Sequence, residues 1–314
     1  MSCQISLADC NQHLRPAIEK GLKYLENLLE SKSWPFSCIL YSTTRKEFTE
    51  NYASAHKGYD EVFTHYLALN LLGNYLSPSM RKQLIESLLP KSFGTLCYFV
   101  SYDTMPDDVD TTSLGYATLL KMNALTESDV MDAAEKVFSN KTDDGLIDLF
   151  MNPSKKLKNI CDAAACVNVL ILAYRLKQEK KVKETEDYVF HWLTSGQWKN
   201  GTLFYPTGLI FLYFLSVLIK SNKKARTRFE SHVLKSVKDC AVEFPLDLAF
   251  KKLILANLQI EEPDDVLELE RNLLNMQRED GSWPADAAWW HWDNVYWGGE
   301  AISTIFVVAA LIAS

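Results

Sequence analysis

The stretch Asp107-Asp108-Val109-Asp110-Thr111-Thr112 places three carboxylates in four residues, directly ahead of a periodic apolar segment through Leu114, Ala117, Leu119 and Leu120. Acidic side chains at such a point satisfy free backbone N–H groups and suit the positive end of a helix dipole. Crowded carboxylates cannot all ionise, so one of them can also stay protonated and deliver a proton to a poor base. Helix-start chemistry and Brønsted-acid chemistry are both open to these residues.

A second cluster, Trp289, Trp290, His291, Trp292, Tyr296 and Trp297, holds four of the eight tryptophans within nine positions. Aromatic faces stabilise a cationic intermediate and help exclude water from it. The same rings would also make a rigid apolar closure. Tyr102, Phe204 and Tyr205 stand ahead of apolar segments and are further candidates for a substrate wall. His65 and His291 lie near the starts of apolar helices, where either could bond to Asp110 or serve as a core histidine. Asp162 and Glu300 occupy positions equivalent to Asp110 in other segments. They read as helix caps, or as carboxylates paired in the manner of a glycosidase acid and base.

Positioning these side chains falls to helices. The 3.6-residue period recurs along the chain, and no alternation of the strand type stands out. The expected helices cover Asn11–Glu30, Lys57–Asn74, a segment opened by Ser77-Pro78, one from Asp108, one from Thr126, then Cys161–Leu176, Lys183–Leu193, Tyr205–Ile219, Arg226–Val237, Pro245–Leu258, Asp264–Met276 and Gly298–Ile312. Charged amphipathic helices alternate with apolar ones. The apolar set begins near Asp60, Asp110, Asp162, Thr207, Asp247 and Glu300, at spacings of 50, 52, 45, 40 and 53 residues. A helix pair recurring at that length is a repeat signature. The tripeptide Ser-Trp-Pro at 33–35 and again at 282–284 marks the first and last pairs, and the chain finishes in a very apolar helix. Both features favour a closed ring. The expected fold is all-α: an (α/α)6 barrel of about twelve helices in one domain spanning residues 1–314.

Composition narrows the function. A net charge of −7 and a pI near 5.5 argue against a nucleic-acid or anionic-membrane surface. Seven scattered cysteines without a C-x-x-C pair fit free thiols in a reducing cytosol. The N-terminal residues lack a secretory pattern, and the apolar run 305–313 is too short to span a bilayer.

The chain resembles the terpenoid cyclase and protein prenyltransferase toroids. Gln277-Arg278-Glu279-Asp280-Gly281-Ser282-Trp283 matches the Q-x3-G-x-W repeat of squalene–hopene and oxidosqualene cyclases, and Gln197 to Leu203 is a degenerate copy with Leu203 in the Trp place. The resemblance implies a structural role for these repeats, with Gln bonded to backbone. Asp108-Val109-Asp110 matches the first three positions of the class II D-x-D-D motif, with Thr111 in place of the last Asp; Asp110-Thr111-Thr112 is about as close to the D-C-T of oxidosqualene cyclases. The resemblance thus implies Asp110 as proton donor, Asp108 as its electrostatic partner, and an isoprenoid or polyene substrate, epoxidised or otherwise oxygenated in one version. An apolar substrate of that kind could be delivered from a membrane surface or a partner enzyme. No cofactor is expected, with Mg entering only if the substrate carries a diphosphate. Asp264-Asp265-Val266-Leu267-Glu268 outlines a class I metal motif but reads as a helix start after Pro263. Cys161, Asp162 and His291 supply zinc-ligand types without zinc-ligand spacing. The alternatives are a carbohydrate-active enzyme on the same barrel and a non-catalytic toroid binding an apolar ligand.

Overall fold

The computed structural model describes residues 12–31, 34, 36–52, 58–90, 92–101, 105–151, 157–260, 263–291 and 294–313. Thirteen α-helices lie among them: α1 (Arg15–Ser31), α2 (Arg45–Asn51), α3 (Phe63–Leu72), α4 (Pro78–Leu88), α5 (Val109–Lys121), α6 (Glu127–Ser139), α7 (Ala163–Arg175), α8 (Lys183–Ser195), α9 (Gly208–Ser221), α10 (Lys223–Lys238), α11 (Pro245–Leu258), α12 (Pro263–Asn275) and α13 (Glu300–Ile312). The strands are β1 (Cys38–Ser42), β2 (Gly58–Tyr59), β3 (Asp286–His291) and β4 (Val295–Gly299).

The alternation read from the sequence governs the packing. Helices α3, α5, α7, α9, α11 and α13 are buried on nearly every side, being apolar or rich in small residues nearly all round. Each packs on the next, and α13 packs back on α3, so the six form a closed series of neighbours. Helices α1, α4, α6, α8, α10 and α12 lie against them, on α13, α3, α5, α7, α9 and α11 respectively. The six apolar helices begin within three residues of Asp60, Asp110, Asp162, Thr207, Asp247 and Glu300, the repeat points read from the sequence.

The Q-x3-G-x-W segment fastens the two ends of the chain. Gln277 Nε2 donates to Ala17 O (2.9 Å) and Gly281 O (3.1 Å), while the buried Trp283 donates from Nε1 to Leu273 O (2.6 Å). Gly281 has φ +92°, and a Cβ there would meet Lys20 O at 2.4 Å, which is why the motif needs glycine. In the degenerate copy, Gly201 has φ +81° and stands equally close to Tyr205 O.

The all-α expectation is corrected by a four-stranded antiparallel sheet of order β2-β1-β4-β3. Leu40 pairs with Trp297, which in turn pairs with Trp289. These strands are aromatic or apolar on both faces, so the polar–apolar alternation that marks a strand is missing from their sequence. The helix expected from Gly298 therefore starts at Glu300, and the one expected from Lys57 starts at Phe63. Helix α2, also unexpected, carries a capping box made by Thr44 and Glu47. Its Arg45 bridges the α11 start to β3, donating to Asp247 (3.0 and 3.1 Å) and Asp286 (2.8 and 2.7 Å). No helix among the described residues is long and apolar enough to cross a membrane.

Candidate active site

The acidic stretch opens α5. Asp108 is the N-cap, in an extended conformation, and its Oδ1 accepts from Thr111 N at 2.6 Å. Its own N–H donates to Leu96 O, which fixes the chain direction into the helix. Asp110 follows in the first turn and reaches two other helix pairs. Asn168 Nδ2, from α7, donates to Asp110 Oδ1 at 2.7 Å, and the Tyr205 hydroxyl, just ahead of α9, donates to Oδ2 at 2.5 Å.

Both carboxyls are buried, and burial penalises the charged form. Asp108 is pushed up to about 8, by burial first and then by the charge of Asp110. Asp110 is pushed up to about 7 by burial, with the charge of Asp162 adding to it; the Tyr205 and Asn168 bonds pull the other way. An acid poised near neutrality is suited to proton transfer. Asp162 caps α7 and is saturated. Its Oδ1 accepts from Ala164 N and Ala165 N, its Oδ2 from Thr202 Oγ1 (2.8 Å) and Phe204 N (2.9 Å).

Asp108, Asp110, Thr111, Asp162 and Tyr205 form the polar part of the wall of a cavity of about 350 Å³. The rest of the wall is mainly apolar and aromatic: Leu40, Phe63, Tyr98, Phe99, Met105, Leu149, Phe150, Phe204, Trp289 and Trp297 contribute, together with His291. The sheet supplies one side. Side chains alternate across a strand, so Trp289 and His291 of β3, Val295 and Trp297 of β4, and Leu40 of β1 face the cavity together. Trp289 stands edge-on to Phe63 and Tyr98, with ring centroids 5.7 and 5.4 Å away.

The sequence candidates divide accordingly. Asp108, Asp110, Tyr205, Trp289, His291 and Trp297 meet at the cavity. Trp290 and Tyr296 are not in its wall: Trp290 Nε1 donates to Thr202 O at 2.9 Å, and Tyr296 packs with Phe48, Ala285 and Ala287. His65 packs between Trp34 and Phe36, accepts from Phe36 N at 3.4 Å, and is pushed down to about 4 by burial, so it is a neutral core histidine. The bonds recorded to Asp110 come from Tyr205 and Asn168 instead. Tyr102 and Trp292 lie outside the described residues. Glu300 receives Arg278 and the Tyr24 hydroxyl (3.4 Å). Asp264 and Asp265 sit exposed in the first turn of α12. Among the described residues, no group of three or more His, Cys, Asp or Glu is placed to hold a metal ion. Sequence reasoning passed over Asn168, although an amide inside the otherwise apolar run from Ala163 to Ala173 signals a buried polar contact.

Comparison with known proteins finds similar chains. Residues 41–176 match the family described as the sesquiterpene cyclase astC-like C-terminal domain. Drimenol cyclase drtB of Aspergillus calidoustus is 28% identical over 224 residues, which is 68% of this chain and 39% of that protein. In sequence the chain is thus similar to terpene cyclases. It matches less than half the length of that curated relative. An apo structure of a variant of the type II terpene cyclase MstE from Scytonema covers 96% of this chain and 97% of its own, at 13% identity and a TM-score of 0.71. A variant of the same cyclase in complex with geranylgeranyl dihydroxybenzoate gives 0.65 at 14% identity, with the same coverage. A protein from Actinoplanes gives 0.65 at 14%, covering 95% and 98%. At these identities the solved structures speak for the shared fold.

Proposed function

We propose that this terpene cyclase-like chain cyclises a small isoprenoid or polyene, starting the reaction by proton transfer from Asp110. One observation carries the reading: a buried carboxyl held near neutrality in the wall of an aromatic-lined cavity. The proton moves from the Asp110 carboxyl to an alkene carbon, or to the oxygen of an epoxide, and the adjacent carbon becomes cationic. A second double bond attacks that carbon, forming a ring bond and moving the charge along. Trp289, Trp297, Phe63 and Tyr98 offer ring faces to the cation. The reaction closes when a C–H bond loses its proton or a nucleophile adds. Asp108, itself pushed up, stays protonated at neutral pH and spares Asp110 a neighbouring negative charge. Tyr205 and Asn168 stabilise the Asp110 carboxylate that proton transfer leaves behind.

A cavity of about 350 Å³ lies near the lower end of the roughly 300–1,000 Å³ range of ligand sites, which favours a short chain. In this reading the closed series of helices is an (α/α)6 toroid, residues 1–314 are one domain, and the substrate is the partner, delivered from a membrane surface or another enzyme. The step itself calls for no cofactor, with Mg relevant only to a diphosphate-bearing substrate. The five cysteines among the described residues are free thiols, which accords with a cytosolic setting. The glycosidase alternative is less well supported, since four donors already occupy the Asp162 oxygens. The test is incubation with farnesol, geranylgeraniol, their diphosphates and their terminal epoxides, followed by mass-spectrometric search for cyclised isomers. Cyclic products from the wild type and not from Asp110→Asn would support the reading. Binding of these chains without conversion would point to a non-catalytic apolar carrier.

A further inference from the structure

Cys161 and Cys166 flank the start of α7, with Cys161 immediately before the capping Asp162 and Cys166 the fourth helical residue. Side chains at these two positions meet across the first turn of a helix, usually as a hydrophobic staple. Here the staple is made of sulfur: the two Sγ atoms are 3.5 Å apart. Cys161 is partly exposed, whereas Cys166 is buried. A disulfide needs an S–S distance of about 2.0 Å, so an approach of roughly 1.5 Å would close the pair. Cys97 and Cys240 are also partly exposed, but their sulfurs bond to the carbonyls of Met105 and Ser236.

We propose that Cys161 and Cys166 are a site of oxidative modification, a dithiol that a peroxide closes into a disulfide across the start of α7. The Cys161 sulfur, as thiolate, attacks the peroxide; the O–O bond breaks, one oxygen stays as a sulfenic acid, and the other leaves as water or alcohol after taking up a proton. The Cys166 sulfur then attacks the sulfenic sulfur, the S–S bond forms, and the sulfenic oxygen leaves as water with the Cys166 proton. Two thiols are oxidised and one peroxide is reduced. The order follows from access, and from the Cys166 thiol being held well up by its contact with Cys161 and by burial. The bridge would pin the turn that presents Asp162 and Ala165 to the cavity, and α7 also carries the Asn168 that holds Asp110. This inference is independent of the reaction proposed above.

The experiment uses reduced, folded protein treated with stoichiometric hydrogen peroxide, alkylated in denaturant and mapped by peptide mass. The expected product is a Cys161–Cys166 link that forms before Cys97 or Cys240 is modified, is reversed by dithiothreitol, and raises the thermal midpoint by roughly 2–5 °C. In Cys166→Ser the link is lost and dimedone traps a sulfenic acid at Cys161, which it does not do in the wild type. Should that variant fail to fold, the wild-type peptide map still decides. Two alkylatable thiols after treatment, or a Cys161 sulfinic acid without a link, would overturn the proposal.

Discussion

Tyr205 and Asp110, 95 residues apart in the chain, meet at 2.5 Å, with the phenol donating to Oδ2. This bond and the one from Asn168 favour the carboxylate, while burial opposes it, and the balance leaves the acid near neutrality. Tyr205→Phe should therefore raise the Asp110 pKa further. The proposed cyclisation requires the protonated form, so wild-type activity should fall as pH rises through about 7. In Tyr205→Phe that falling limb should move to higher pH, and kcat should drop by about 10- to 100-fold, the worth of one hydrogen bond to a charged group. A pH–rate profile checks both; an unmoved limb would separate Tyr205 from the acid.

Asp110→Asn keeps the side-chain shape while removing the acidic proton. Turnover should fall on the order of 10²-fold or more, with the fold intact. Full activity in this variant would remove Asp110 from the mechanism.

The same two carboxyls should contribute to the pH dependence of stability, as should the buried Glu61, pushed up to about 8 by burial. Asp108 and Asp110 are raised in the folded state, to about 8 and about 7, so between the unfolded carboxyl range and those values the native protein binds protons that the unfolded chain has released. Stability is then fully present at low pH and declines as pH rises, by at most about 1.4 kcal/mol per unit for each group. Thermal unfolding between pH 5 and 8 should show this slope. Asp108→Asn and Asp110→Asn should each flatten it.

The neighbouring tryptophans of β3 should respond in opposite ways. Trp289 lines the cavity, so Trp289→Leu should change the product distribution and leave the fold standing. Trp290 instead ties β3 to Thr202 O, so Trp290→Leu should lower the melting temperature and leave the product ratio of surviving enzyme unchanged. Product analysis and calorimetry on both variants separate the roles.

Arg45 is the largely buried cation between the buried Asp247 and Asp286. Arg45→Met leaves two carboxylates without their partner and should cost about 3–5 kcal/mol, the usual penalty for breaking a buried pair. Denaturant unfolding measures it. A loss below about 1 kcal/mol would mean that the α2–β3 junction is held by packing alone.

The sequence by itself determined what local periodicity and end chemistry record. The apolar helices were legible because a side chain's burial on a helix repeats every 3.6 residues within a short window. The caps at Asp108, Thr126 and Asp162 were legible because free N–H groups need an acceptor nearby in the chain. Gln277 and Gly281 stood in a recognisable motif whose resemblance implied a structural tie to backbone, and the structure showed that the tie reaches Ala17. The tertiary structure alone decided the rest. The pairing of Leu40 with Trp297 joins residues 257 positions apart, and strands apolar on both faces leave no alternation from which to read it. That pairing turns Trp289 and Trp297 toward the cavity and Trp290 away. Likewise, nothing near Asp110 in the chain names Asn168 or Tyr205 as its donors. They reach it because α5, α7 and α9 are successive neighbours, and the burial that sets the acidity of Asp110 exists only once those helices have packed.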